Sequence, residues 1–513
     1  MATNDNNTTR LRPAGYDALI ERYGVAVIPN WHRSFISNAA AFRINVSQGV
    51  TQEIYPSNYA PGDSLGMQLE FAIKYDGTNL GILDSLFRVI DEKEFLSFVQ
   101  SKPTGKYARR LWFLFEFLTG KRLPLADLKH GNYVDLLDAT EYYTLASSRQ
   151  VRRQRINDNM LGGRAFCPTV RRTSELRRLD AADLPELSRK ATSRYSPELM
   201  KRALSYLYTK ETRSSFEIEH IKPDSSRAEK FAALLHTAEH DDYVGKAQLI
   251  GLQNRIVDPR FRDSNYRTTQ NYVGETLGWQ QERVQFASPK PEDLPGLMEG
   301  LIDSHRLMEA GCVFAVVHAA VVAYGFVFMH PFEDGNGRIH RFLIHNILAR
   351  TGFTPTGLMF PVSASMLKNP ALYNASLEAF SGPLMPLVEY TLDDEGRMTV
   401  LNGTVQRYRY IDMTPQVEAL FGFIERTIAT ELIDELAFLA GYDAARKAIQ
   451  EIVDMPDRQI GLFIRTCLGN NRRLSARKRA SHFAFLTESE IARLEKALQR
   501  AFKLVKPGAL PSP

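Results

Sequence analysis

The sequence predicts a mainly α fold: a helical core holding one short β-hairpin, preceded by an N-terminal α+β unit and followed by a C-terminal helical unit. Three observations carry that expectation. The 513 residues are 44% apolar and 24% charged, a globular composition long enough for roughly two to four compact units. Helical periodicity dominates from about residue 184 onward. Inside that helical stretch only residues 268–288 lean towards β structure.

Residues 1–145 form the N-terminal unit. Short β-like runs, Val25–Ile28 and Phe42–Val46, precede the helical pattern Tyr107–Thr119, which Gly120 ends. Residues 146–183 are a connector crowded with arginines from Arg149 to Arg178. A solvated surface, an acidic target and a nucleic acid all fit such a run. Leu184–Lys210 and Ala228–Glu239 read as helices. Thr268–Val273 and Val284–Phe286 flank Gly274 to Gln281, the pattern of a hairpin with a longer loop. Pro291, Pro295 and Gly296 then punctuate the chain.

Residues 312–329 reach the length of a membrane span. His318 inside them, the scarcity of Leu and Ile, and the polar motif that follows favour a central buried helix instead. Residues 410–505 are helical again. Helices at about 459–468, 475–484 and 488–502 carry the cluster Arg472–Arg479, and Thr487 with Glu490 forms a capping box. A helix-turn-helix-like unit and a helical tail packed on the core are both open.

The net charge of +5 says little about partners. Cys167, Cys312 and Cys467 fit neither a disulfide framework nor zinc spacing, so a reducing, cytoplasmic compartment is expected. Residues 1–13 lack the apolar segment of a signal peptide, and no membrane partner is expected.

The chemistry concentrates in His330-Pro-Phe-Glu-Asp-Gly-Asn-Gly-Arg-Ile-His-Arg341. Gly335, Asn336 and Gly337 can turn backbone N–H groups inward, since glycine accepts the required φ angles. The helical pattern resuming at Arg338 places a helix N-terminus, which favours anions, behind that turn. Arg338 and Arg341, three apart, share a face and can grip phosphate oxygens. Asp334 offers a hard carboxylate to Mg²⁺. His330 has an ordinary pKa near ~6.5 and can take a proton from an attacking hydroxyl.

These twelve residues resemble the Fic family signature, His-x-Phe-x-Asp/Glu-Gly-Asn-Gly-Arg-x-x-Arg, at every specified position, and the resemblance runs over roughly residues 190–380. It implies a Fic core at 184–400 that transfers AMP from ATP to a Ser, Thr or Tyr hydroxyl of a protein. His330 would be the base, Phe332 the loop's anchor and Asp334 the Mg²⁺ ligand. Gly335, Asn336 and Gly337 would form the anion hole, and Arg338 and Arg341 would hold the outer phosphates. Gly337 stands where phosphotransferase relatives have lysine, which favours adenylyl transfer.

Arg267 to Gly274 resembles the family's flap strand, whose edge pairs with a segment of the target. Asn271, Tyr272, Val273 and Gly274 would line the nucleotide. Tyr373 falls where the family has an aromatic near the nucleoside, and a core role is equally open. Ser215-Phe-Glu-Ile-Glu219-His220 resembles the inhibitory pattern Ser/Thr-x-x-x-Glu-Gly/Asn, near 212–220. By that resemblance Glu219 would pair with Arg341 and block the γ-phosphate. The sequence departs at His220, where the pattern has Gly or Asn.

No P-loop and no kinase signature set is present. His236 and His240 lack the glutamate placement and third ligand of a zinc helix. An alternative to the transferase is a DNA-associated regulator, with the C-terminal basic unit on nucleic acid and the Fic core modulating it.

Overall fold

The computed structural model describes residues 11–38, 41–47, 50–278 and 281–503. Over these the chain is mainly helical with small sheets, as the sequence predicts. It divides into two units, each assembled from three stretches. The first comprises Met1–Arg178, Asp242–Ile347 and Ala371–Leu420, and the second Leu179–Asp241, Leu348–Pro370 and Phe421–Pro513.

The first unit begins with a four-stranded sheet in the order Arg12–Pro13, Arg33–Ser37, Val50–Pro56, Arg43–Ser47, with the middle pair parallel. The Phe42–Val46 run thus appears as a strand. Val25–Ile28 does not: it is irregular, and Val25 and Val27 lie half-buried against the helical core. The β-branched residues of this run lay side chains on a core and pair with no strand. The Lys106–Thr119 helix buries Trp112 and Phe115 and stops at Gly120 (φ +73°), whose N–H caps the Glu116 carbonyl.

Much of the arginine run braces this unit. Arg153 bridges Glu116 (2.9 Å) and Asp127 (2.7 Å) and lies over the Trp112 ring at 4.9 Å. Arg155 donates to the carbonyls of Leu128, Lys129 and Gly131. Arg171 pairs with Asp412 at 3.0 Å.

Two packed helices, Leu294–Ala310 and Ala315–Met329, form the heart of the unit. Every residue of the second except Ala315 and Val327 is buried, the all-round burial its apolar sequence predicts. Among the described residues no helix is long and apolar enough to cross a membrane.

The hairpin pairs Tyr272–Gly278 with Gln281–Ala287, so its strands run further than expected. Irregularities at Val273/Gly274 and Thr276/Gly278 absorb the glycines that read as a loop. A Cβ at Gly274 would stand 2.8 Å from the Arg283 carbonyl oxygen. The strand also starts later than Thr268: Thr269 and Asn271 bond instead to Glu333 and Phe332 in the loop after His330.

In the second unit the expected Leu184–Lys210 helix is two, Leu184–Thr192 and Pro197–Glu217. Ser196 caps the second by accepting the Leu199 N–H at 3.3 Å, and Pro197 occupies its first turn. That Ser-Pro pair is a start signal inside an otherwise continuous helical pattern. Pro197–Glu217 packs on Ser225–His236, Val362–Lys368 and Leu432–Gln450. Fully buried Glu211 accepts the Ser363 N–H at 2.9 Å. The last three helices are Asp457–Leu468, Ala476–His482 and Glu488–Ala501, the final one with both bonds of the Thr487–Glu490 capping box.

Candidate active site

The Ala315–Met329 helix ends at His330, which turns left-handed at φ +48° while its N–H still reaches the Phe326 carbonyl at 3.0 Å. Pro331 follows and cannot continue the helix. A non-glycine residue in this conformation costs about 1–2 kcal/mol, so the surroundings must hold it.

Arg267 does so. Its main-chain N–H donates to the Pro331 carbonyl at 2.9 Å, and its Nε donates to the His330 carbonyl at 2.8 Å. Its terminal nitrogens donate to the carbonyls of Thr269 (2.7 Å) and Pro289 (2.6 Å) at the base of the hairpin. One buried guanidinium therefore ties the histidine's turn to both ends of the flap. Burial pulls the Arg267 pKa down to about 10. In sequence Arg267 was legible only as the first residue of the flap-like stretch, because nothing local marks an arginine that serves carbonyls. The His330 Nδ1 lies 3.2 Å from the Val327 carbonyl. Nδ1 must donate there, which puts the lone pair on Nε2.

The turn after His330 is closed by Asn336. Its Nδ2 donates to the Phe332 carbonyl at 2.7 Å, and its Oδ1 accepts the Phe332 N–H at 3.1 Å. The Asn336 side chain thus shapes the loop, leaving its backbone to face an anion. Phe332 is fully buried against Tyr266 and Phe326, the anchor expected of it. Gly335 has φ +92°, and a Cβ there would stand 2.9 Å from Val257. Both facts demand glycine. The Asn336–Arg350 helix starts at once, its first bond running from Ile339 N–H to the Gly335 carbonyl. Gly337 lies in the first turn, where an N–H group has no carbonyl four residues back within the helix to bond and faces the N-terminal end.

Arg338 in the first turn and Arg341 in the second are buried, 0% and 1% exposed. Arg338 donates Nη2 to Asp334 Oδ1 at 2.6 Å and Nη1 to the Ile256 carbonyl at 3.3 Å. Asp334 Oδ1 also accepts the Gly335 N–H at 2.6 Å. Both of these bonds fall on one oxygen, and 36% of the side chain is accessible. Two further acids converge here. Asp263 accepts the Glu333 N–H at 3.3 Å, and burial, with the charges of Glu333 and Asp334, pushes its carboxyl above the usual range. Thr269 donates its hydroxyl to Glu333. Gln253 donates to Asp263 Oδ2 (3.1 Å) and the Asp334 carbonyl (3.4 Å).

At the flap, Asn271 Nδ2 donates to the Phe332 carbonyl at 3.3 Å, so Asn271 sits against the loop that follows His330. Tyr272, Val273 and Gly274 open the strand, and Val273 is 42% exposed. The sheet has only two strands, so each keeps one edge unpaired among the described residues. Tyr373, on the Pro370–Leu384 helix, is buried with its ring 6.2 Å from that of His340.

Ser215 and Glu219 lie in the second unit. Ser215 is buried in the Pro197–Glu217 helix, and Glu219 is half-buried in the turn that closes it. His220 takes φ +55°, with its N–H on the Glu217 carbonyl (2.9 Å) and the Ile221 N–H on the Phe216 carbonyl (3.1 Å). This is a Schellman ending, so His220 adopts the conformation that Gly or Asn takes there.

Residues 243–348 match the model of the Fic/DOC family. A protein adenylyltransferase fic-1 of Caenorhabditis elegans is 31% identical over 178 residues, covering 34% of this chain and 30% of that protein. A protein adenylyltransferase Fic of Nematostella vectensis is 35% identical over 95 residues, covering 18% and 20%. The chain therefore spans less than a third of the length of these relatives. Among solved structures, a Fic family protein from Desulfovibrio desulfuricans G20 is 19% identical with a TM-score of 0.38, covering 54% of this chain and 80% of that one.

Proposed function

Residues 243–348 form a Fic/DOC-family domain, and from that premise we propose that the chain is a protein adenylyltransferase that moves AMP from ATP to a hydroxyl of a target protein. The observation that carries this reading is the loop from His330 to Arg341. It joins a histidine of fixed tautomer to a glycine turn and a helix N-terminus with two buried arginines. The names of the curated relatives support it.

The triphosphate lies over the N–H groups of Gly335 to Gly337, with Arg338 and Arg341 behind them. The target hydroxyl oxygen attacks the α-phosphorus, a P–O bond to the target forms, and the bond from that phosphorus to the bridging oxygen of pyrophosphate breaks. Nε2 of His330 accepts the hydroxyl proton. A target segment pairs with the exposed edge of the Tyr272–Gly278 strand, which holds its hydroxyl over the cleft with little side-chain readout. Mg²⁺ fits the donors present: Asp334 keeps one oxygen outside its bonds to Gly335 and Arg338, and the convergence of Asp263, Glu333 and Asp334 is a surplus of negative charge. Held by Asp334, it would neutralise charge on the phosphates. Incubating wild type and the Glu219→Gly variant with α-labelled ATP and a cell lysate tests the reading, and absence of any labelled protein with both counts against it.

Glu219 restrains the activity in this reading. Support comes from the Ser215-to-Glu219 pattern and from the Schellman turn, which accommodates His220 in place of Gly or Asn. A second reading concerns the Ala476–His482 helix. No residue of it is buried, no acid occurs in the sequence between Asp457 and Glu488, and Arg473, Arg477 and Lys478 are exposed. A DNA mobility shift with the full chain, repeated as salt is raised, decides whether nucleic acid binds there.

A further inference from the structure

On the Leu294–Ala310 helix, His305 and Glu309 are spaced four apart and share one face. Asp242, from the segment just before the Lys246–Ile256 helix, reaches the same place. One ligand atom from each of Asp242, His305 and Glu309 lies within 4.8 Å of the other two.

His305 supplies the observation that lifts this above an acidic cluster. It is 1% exposed, and its Nε2 makes no hydrogen bond although Asp242 Oδ1 is 3.3 Å away. The oxygen is near but off the line that an N–H would need. Tetrahedral coordination asks for that arrangement. Bonds of about 2.0–2.2 Å to zinc put two ligand atoms roughly 3.4 Å apart, with neither on the other's lone-pair axis. The other nitrogen of His305, Nδ1, lies 2.9 Å from Nε2 of His318, on the packed Ala315–Met329 helix. With the proton on Nδ1 donated to His318, Nε2 presents its lone pair to the carboxylates, and this is the tautomer that a bound metal selects. Metal-bound histidines characteristically have such a second partner.

We propose that Asp242, His305 and Glu309 form a site for a divalent transition metal of the zinc class, completed by water. An imidazole between two carboxylates selects such an ion over Mg²⁺ or Ca²⁺. Both acids are exposed, so the ion enters from solvent, and only the histidine is buried. The metal fastens the segment at Asp242 to the Leu294–Ala310 helix, and His318 extends that brace into the helix that ends at His330. The inference does not depend on adenylyl transfer.

The test uses the full chain stripped with chelator, zinc chloride as the titrant, calorimetry for stoichiometry and a thermal melt as second readout. Wild type should take up one tight equivalent of zinc with a rise in Tm, since ligand that binds only the folded state stabilises it. Asp242→Asn and Glu309→Gln change exposed residues and should fold, yet each should weaken binding at least about tenfold and remove the Tm rise. Cobalt in place of zinc should give visible absorption in wild type that both variants lose. No stoichiometric uptake, or uptake unchanged in both variants because other histidines hold the ion, would overturn the assignment.

Discussion

At the scale of single residues, the chemistry rests on side chains whose positions are set by backbone carbonyls. His330 is held in a left-handed turn by Arg267, which touches no substrate in this account and acts through the His330 and Pro331 carbonyls. Arg267→Lys keeps a cation but cannot span the His330, Thr269 and Pro289 carbonyls. It should lower kcat strongly with a smaller change in KM for ATP, whereas an equal loss in both would mean that Arg267 only stabilises the fold.

His340, inside the signature at an unspecified position, is a different case. It is fully buried beside the Tyr324 ring, and burial lowers its pKa to about 3. Its folded pKa lies below the unfolded value of ~6.5, so the unfolded chain binds the extra proton. Stability should therefore be full above about pH 6.5 and fall as the pH drops towards 3, by at most about 1.4 kcal/mol per pH unit for one proton. Denaturant melts from pH 7 to pH 4 check the slope, and His340→Phe should flatten it by one proton's worth. An unchanged slope in that variant would assign the pH dependence to other groups.

At the scale of elements, the motif was legible because its parts are local. A glycine turn, a helix start and charges three apart all follow from sequence order, and the structure brings His330, Asp334, Gly335 and Arg338 into one loop. What escaped was long-range. Arg267, Gln253 and Asp263 join the loop from segments far away in the chain, and no spacing announces them. Ser196-Pro197 was readable as a break but was outweighed by the helical periodicity on both sides. Val25–Ile28 is rich in β-branched residues like a strand but meets no partner strand. The ending of the Pro197–Glu217 helix gives a direct test of local strain. His220 holds φ +55°, so His220→Gly should stabilise the chain by up to about 1 kcal/mol. A thermal melt checks the sign, and destabilisation would mean that the imidazole contributes more than the left-handed turn costs.

At the scale of the whole molecule, one chain carries the proposed transfer site in its first unit and the proposed restraint, Glu219, in its second. The central claim is that His330 drives transfer of AMP. Since the restraint would mask a low wild-type rate, the most direct measurement is self-labelling from α-labelled ATP with Mg²⁺ in Glu219→Gly and in Glu219→Gly combined with His330→Ala. Labelling should exceed wild type in the single variant. In the double variant it should drop by at least about 100-fold, the low end for loss of a general base, while ATP binding persists. Equal labelling in the two variants, with both folded and binding ATP, would contradict the account.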